Sequence, residues 1–114
     1  MPFIETKTTV HIDPDKEKQL REALGAAIRT LPGKSEQWLM LRFEGDCHMA
    51  FRGEATPDIA MLEVKIFGKA TAKDYNALTA RLTDICRKVL GVPADRVYVR
   101  YDETAYWGWN GENF

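Results

Sequence analysis

Apolar residues recur every three or four positions in residues 13–33, which predicts a helix with one buried face. Asp13 is a typical N-cap residue, and Pro14 suits the first helical position. The pattern stops at Pro32 and Gly33, so both ends of the helix are indicated. The predicted buried face comprises Leu20, Leu24, Ala27, Ile28 and Leu31.

Residues 71–91 repeat this arrangement. Thr71 is the expected cap, Asp74 follows three residues later as in a capping box, and Gly91 and Pro93 close the segment. We therefore predict a second helix with a buried apolar face. That face comprises Tyr75, Leu78, Leu82, Ile85, Cys86 and Val89.

Strand-like segments flank both helices, which gives the order β-α-β twice. Leu41-Arg42-Phe43 and Val99-Arg100-Tyr101 lie 58 positions apart and follow their helices at similar distances, so we infer an internal pseudo-repeat. The prediction is an α/β chain of the two-layer α+β type, with a four-stranded sheet and two helices on one face. The predicted strands are Phe3–Thr8, Trp38–Phe43, Ile59–Phe67 and Arg96–Tyr101.

Alternation along these strands separates two faces of the sheet. The face under the helices is predicted to carry Ile4, Leu39, Leu41, Phe43, Ala60, Leu62, Val64, Ile66, Val97, Val99 and Tyr101. The opposite, mixed face is aromatic and charged, and no third helix remains to cover it. We therefore expect a homo-oligomer. The mixed face is predicted to carry Phe3, Trp38, Met40, Arg42, Ile59, Met61, Glu63, Lys65, Phe67, Tyr98 and Arg100. Strict alternation thus places Phe3, and not Pro2, on this face.

Composition limits the function classes. At 114 residues the chain fits one domain, residues 1–114, and its net charge of −1 gives no field that attracts nucleic acid or anionic lipid. No apolar run reaches the roughly 18 residues that span a bilayer, and no signal peptide is recognisable, so we expect a cytoplasmic protein. Neither phosphate-binding glycine motif occurs. Cys47 and Cys86 are expected to be free thiols, and no third metal ligand is apparent beside Cys47 and His48.

Four residues are candidates for chemistry. Pro2 would carry a free secondary amine if Met1 were removed, although a small second residue is common in proteins. Lys34 follows a glycine turn and is by default a solvated lysine. Arg100 shares the mixed face with Tyr98, where an arginine is either paired or available to bind an anion.

Several short motifs together resemble the macrophage migration inhibitory factor family. The resemblance runs along the whole chain and implies a homotrimer whose sheets enclose a central barrel, with one active site at each subunit interface. The matching motifs are Pro2-Phe3-Ile4, Gly33-Lys34, Met49-Ala50-Phe51, Phe67-Gly68-Lys69, Asp95-Arg96-Val97-Tyr98 and the closing Gly108-Trp109-Asn110-Gly111-Glu112-Asn113-Phe114.

The resemblance also implies roles for individual residues. Pro2 matches the catalytic base, Lys34 the lysine that binds a substrate oxygen, and Phe67 the residue whose backbone N–H donates to the substrate. Tyr98 matches a tyrosine from the neighbouring subunit. The aromatic residues expected to enclose the substrate ring are Trp38, Trp107, Trp109 and Phe114.

The sequence departs from the family at two places. Arg100 stands where the best-known member has asparagine, while related dopachrome tautomerases carry basic residues there, so Arg100 is expected to affect substrate choice. The family's C-x-x-C segment falls at residues 60–63, which contain no cysteine, so no oxidoreductase activity is expected.

These residues predict a keto–enol tautomerase for phenylpyruvate-like or dopachrome-like substrates, without a metal or organic cofactor. Two alternatives stay open. One is a cytokine-like protein that binds a receptor and is secreted without a signal peptide, as the resemblance allows. The other is a small-acid decarboxylase or hydratase on the same scaffold.

Overall fold

The computed structural model describes all residues from 1 to 114. Two helices pack on one face of a four-stranded mixed sheet, as the sequence predicted, and a small hairpin follows near the carboxyl end. The elements are β1 (Pro2–Thr8), α1 (Pro14–Ala27), β2 (Met40–Glu44), β3 (Ala60–Phe67), α2 (Ala72–Ile85), β4 (Val97–Thr104), β5 (Gly108–Trp109) and β6 (Glu112–Asn113).

The sheet order is β2-β1-β3-β4. The central strands β1 and β3 run antiparallel, and each pairs in parallel with the strand that follows its own helix. This arrangement confirms the two β-α-β units. It also gives matching contacts at the two ends of the central pair, where Phe67 N–H donates to the Met1 carbonyl and Thr9 N–H donates to the Ile59 carbonyl, both at 3.1 Å. Thr9 and Phe67 are 58 positions apart, and so are Met1 and Ile59. The pseudo-repeat therefore relates the two ends of the strand pair.

Both predicted helix caps are present. The Asp13 side chain accepts a hydrogen bond from Lys16 N–H at 2.7 Å, and Thr71 and Asp74 form a reciprocal capping box. The helices are shorter than predicted. A 3-10 turn over residues 28–30 follows α1, and a π-helical turn over residues 86–90 follows α2 before Gly91 ends it with a φ of 71°.

The core lies between the helices and the sheet. All five residues of the predicted face of α1 and its following turn are buried, and so are Leu78, Leu82 and Cys86 from the second stripe. The predicted helix-facing strand residues are buried or packed against this cluster. Burial raises the pKa of the Cys86 thiol to about 12, and both cysteines are free, as expected.

The structure differs from the predicted strands at several positions. Trp38 lies in a 3-10 turn because its N–H donates to the Ser35 carbonyl at 3.2 Å, and β2 begins only at Met40. Arg96 closes another 3-10 turn before β4, with its side chain held by loop carbonyls. Ile59 was expected in the strand on the mixed face, but it precedes β3 and is only 6% exposed, beside an apolar cavity that Met49 and Phe51 also line.

The terminal hairpin was not predicted. Its strands β5 and β6 are joined by Asn110 and Gly111, which have φ values of 54° and 87°. A two-residue Asn-Gly loop with positive φ values is the strongest local signal for a hairpin. The signal was present in the sequence within the motif that carried the family resemblance.

Neither helix has the length and apolar character needed to cross a bilayer.

Candidate active site

Lys34 lies against the end of β3. It follows Gly33, which has a φ of 77°, a conformation that glycine adopts without strain. Its backbone N–H donates to the Leu31 carbonyl, and its ammonium Nζ donates to the Phe67 carbonyl at 2.7 Å. The side chain is therefore not a freely solvated lysine. It places a positive charge beside the last residue of the strand.

Pro2 occupies the same end of the sheet. It lies opposite Ile66 in the β1–β3 register, and its ring is buried while Phe3 faces the other side, as the alternation predicted. The Met1 carbonyl accepts the Phe67 N–H at 3.1 Å. Because that carbonyl and the Pro2 nitrogen belong to one planar peptide group, the nitrogen lies next to the Phe67 N–H.

The electrostatic environment at this position disfavours a charged amine. Burial, and then the nearby positive charge of Lys34, lower the pKa of the Met1 amino group below its ordinary value of 8.0. This lowered pKa belongs to the Met1 amino group, one residue before Pro2. It indicates that the surroundings of the chain terminus favour the neutral form of an amine.

Aromatic side chains cluster at this end of the sheet. The rings of Trp38 and Trp109 meet edge to face with centroids 5.0 Å apart, and Trp109 stacks on Phe114 at 6.3 Å. Phe114 also lies 5.8 Å from the Phe67 ring. Trp107 contributes through its backbone, since its carbonyl accepts the Phe114 N–H at 3.0 Å. The hairpin thus brings residues distant in sequence to Phe67.

Tyr98 does not lie with the others in a single chain. It pairs with Met61 at the start of β3, whereas Phe67 is the last residue of that strand. Six residues of strand separate the two positions by roughly 20 Å. Tyr98 is 61% exposed, and its ring meets Phe51 edge to face at 5.3 Å.

We call Pro2, Lys34, Phe67 and the aromatic rings around them the Lys34 cluster. Arg100, like Tyr98, lies outside it. It lies opposite Glu63 in the sheet register, and its guanidinium donates to Asp102 at 3.2 Å. Across the sheet Arg42 binds Glu5 at 2.7 Å, so the centre of the mixed face carries alternating charges. The face is both charged and apolar, as the alternation predicted, and its most exposed apolar side chains, Met40 and Tyr98, lie near the ends of their strands.

Beside Tyr98 lies an apolar cavity of about 190 Å³ that sequence reasoning did not assign to the site. Arg96 is buried next to it and donates to the Pro57 carbonyl at 2.7 Å and the Glu54 carbonyl at 3.0 Å. In the sequence, the signal that points to this cavity is the apolar run Met49-Ala50-Phe51, which lies in the connection between the two β-α-β units. The cavity is lined by Met49, Ala50, Phe51, Ile59, Ala60, Met61, Arg96 and Tyr98.

The Lys34 cluster combines three functional groups. A terminal amine, a lysine cation and a backbone N–H converge at the end of β3, next to a wall of aromatic rings. Such a set can remove a proton from carbon and stabilise negative charge that develops on a neighbouring oxygen. The aromatic wall suits a substrate with a flat apolar group.

Comparison with known proteins supports one family. A family model described as macrophage migration inhibitory factor (MIF) matches residues 1–114. A macrophage migration inhibitory factor from Xenopus laevis is 30% identical over 116 aligned positions, which cover 100% of this chain and 99% of the relative. The crystal structure of MIF2 from Leishmania major is 34% identical with a TM-score of 0.92, and it covers 100% of this chain and 97% of that one. A homologue from Prochlorococcus marinus is 28% identical with a TM-score of 0.87, with 98% of both chains covered.

Proposed function

Since the chain belongs to the macrophage migration inhibitory factor family, we propose that it is a keto–enol tautomerase that acts on phenylpyruvate-like or dopachrome-like substrates. The Pro2 amine, exposed when Met1 is absent, is the general base. The observation that carries this proposal is the contact of both Lys34 and the Met1–Pro2 peptide with Phe67. A base, a cation and an N–H donor are thereby gathered at one strand end.

The proposed reaction moves one proton within the substrate. The Pro2 nitrogen takes a proton from the carbon next to the carbonyl, and the electron pair of that C–H bond forms the carbon–carbon double bond of the enol. The carbonyl oxygen gains negative charge, which Lys34 and the Phe67 N–H stabilise. The proton then passes from Pro2 to this oxygen, and the reverse sequence returns the keto form.

Lys34 has donors to spare for this role. An ammonium group has three N–H donors, and the Phe67 carbonyl accepts one of them. The others are available for a substrate carboxylate or carbonyl oxygen. The aromatic rings of Trp38, Trp109 and Phe114 then pack against the substrate ring.

We further propose a homotrimer in which Tyr98 and Arg100 reach the Lys34 cluster of a neighbouring subunit. Tyr98 and Phe67 lie at opposite ends of β3, so one chain does not bring them to a single substrate. A second copy can supply the missing part. Light scattering should give three times the chain mass of 13.0 kDa, and a monomer at micromolar concentration contradicts the shared site.

The central experiment compares chains with defined amino termini. Protein that starts at Pro2, verified by mass spectrometry, should interconvert enol and keto phenylpyruvate. An alanine inserted between Met1 and Pro2 should abolish activity because it displaces the base by several ångströms. Pro2→Gly retains an amine without the ring, so partial activity is expected. If protein that starts at Pro2 is inactive, the receptor-binding alternative becomes the better explanation.

A further inference from the structure

The connection that follows β2 begins against the segment between β1 and α1. The Asp46 N–H donates to the Val10 carbonyl at 3.1 Å, and the Cys47 N–H donates to the Thr8 carbonyl at 2.9 Å. Gly45 lies so close that a Cβ on it would meet the Val10 carbonyl oxygen at 2.7 Å. Backbone contacts therefore hold together two loops from separate parts of the sequence.

One pair of side chains joins the same two loops. The Nδ1 atom of His11 lies 2.8 Å from a carboxylate oxygen of Asp46. Both side chains are largely exposed, so water and protons reach the contact freely. We propose that His11 and Asp46 form a pH-sensitive latch, which fixes the start of the connection when His11 is protonated and loosens it when His11 loses its proton.

The backbone of Asp46 shows what the latch would hold in place. Its φ of 56° lies in the left-handed region, which is uncommon for residues other than glycine, although aspartate adopts it more readily than most. Such a conformation persists when surrounding contacts hold it. Asp46 is held by its backbone bond to Val10 and by its side-chain contact with His11. A weaker side-chain contact leaves this left-handed turn with less support.

The charges around His11 set the direction of the response. Asp46, first as a hydrogen-bond partner and then through its negative charge, raises the pKa of His11 above its ordinary value of 6.5. Asp13, the N-cap residue of α1, adds to this increase, and the Lys16 ammonium opposes it. Asp13 and Lys16 lie 3.6 Å apart and partly cancel each other, so Asp46 is the dominant neighbour.

A raised pKa in the folded chain ties this contact to acid pH. Well below 6.5, His11 is charged in both the folded and the unfolded chain, and the ion pair contributes its full stabilisation. That contribution is lost as the pH rises through the raised pKa of the folded chain. A neutral imidazole still has one N–H donor, so deprotonation weakens the latch without removing every contact.

The other end of the connection provides an internal control, because it meets the same segment without a histidine. There the Thr9 N–H donates to the Ile59 carbonyl at 3.1 Å, and the Thr9 hydroxyl donates to Asp58 at 2.9 Å. Protonation of His11 should leave these contacts unchanged. The second control is His48, the only other histidine, which is exposed two positions after Asp46.

Two conservative variants separate the charge from the hydrogen bond. His11→Gln keeps a donor without a titratable charge, and Asp46→Asn removes the carboxylate charge while it keeps a residue that tolerates the left-handed region. NMR titration of the imidazole protons should give a pKa above 6.5 for His11 in the unmodified chain and a lower pKa in Asp46→Asn.

Amide hydrogen exchange measures whether the latch holds the loop. After correction for intrinsic exchange rates, protection of the Asp46 and Cys47 amides should be about two- to fivefold greater below the pKa of His11 than above it, as expected for an exposed ion pair. This pH dependence should disappear in His11→Gln and Asp46→Asn and persist in His48→Gln. The Thr9 amide should show no such dependence in any chain.

Three results would overturn the latch. The first is the same His11 pKa in the unmodified and Asp46→Asn chains. The second is protection of the Asp46 and Cys47 amides that does not change with pH in the unmodified chain. The third is a pH dependence that persists in His11→Gln or appears equally at Thr9, since either would assign the change to other groups.

Discussion

The Lys34 ammonium donates to the carbonyl of Phe67, whose own N–H donates to Met1, so one residue joins the lysine to the amino terminus. This relationship links the charge of Lys34 to the protonation of any amine at the start of β1. It leads to a prediction about pH.

Lys34→Ala should raise the pKa of the Pro2 amine, because a neighbouring cation that disfavours the charged form is removed. In the proposed mechanism the neutral amine is the active form, so activity should rise with pH and the midpoint of that rise should move upward in the variant. The value of kcat/KM should also fall by about one to two decades, as expected for a lost charged hydrogen bond of about 1.5–3 kcal/mol. Steady-state rates across pH measure both effects. Lys69→Ala is the matched control, and an equal shift in that exposed lysine variant argues against a specific contact.

Arg100→Ala should raise KM for phenylpyruvate more than it lowers kcat, if Arg100 binds the substrate carboxylate across a subunit interface. Arg42 is the control because it lies 58 positions earlier, on the same face, and binds Glu5 and Glu44. Arg42→Ala should leave KM nearly unchanged. Similar kinetic changes in both variants would assign Arg100 to the charge network of the sheet.

Subunits with different defects should complement each other if each site takes Tyr98 from a neighbour. Lys34→Ala and Tyr98→Phe chains, each poorly active alone, would be unfolded together in equal amounts and refolded. In a cyclic trimer with random assembly about one quarter of the sites regain both residues. The recovered activity is compared with that of the chains refolded separately and then mixed. No recovery despite confirmed exchange of subunits would exclude the shared site.

Arg96→Ala should lower the free energy of unfolding by about 1–3 kcal/mol, because two loop carbonyls lose their donors beside a buried position. Urea denaturation measures this change. Arg87→Ala, which removes an exposed contact with Asp84, should lower the free energy of unfolding much less. If both variants lose the same small amount, the Arg96 contacts are not what holds residues 54–57 against the sheet.

The elements with local signals could be predicted from sequence. Asp13 and Thr71 begin the helices as expected because side-chain caps act over three or four residues. Strand alternation also separated the core face from the mixed face, because it depends only on residues two positions apart. Trp38 shows the limit, since nothing in its own segment reveals that its ring packs on Trp109.

The site depended on contacts between distant residues. Periodicity gave no reason to bring Lys34 to Phe67, which lies 33 positions later, and only the family resemblance named both. The contact between Met1 and Phe67 was missed by both kinds of reasoning. It arises from the register of two strands, which no short motif specifies.

The two ends of the central strand pair are built alike, and a duplicated half-chain could in principle carry two reactive ends. Only one of these two ends can provide a basic backbone nitrogen. The Ile59 and Ala60 nitrogens lie within a continuous polypeptide, where every backbone nitrogen is an amide without a basic lone pair. The equivalent position at Met1 and Pro2 can be opened by cutting a single peptide bond. Under the proposed mechanism, a fold with internal twofold similarity thus yields a functionally one-sided subunit, in which removal of Met1 selects the end that acts.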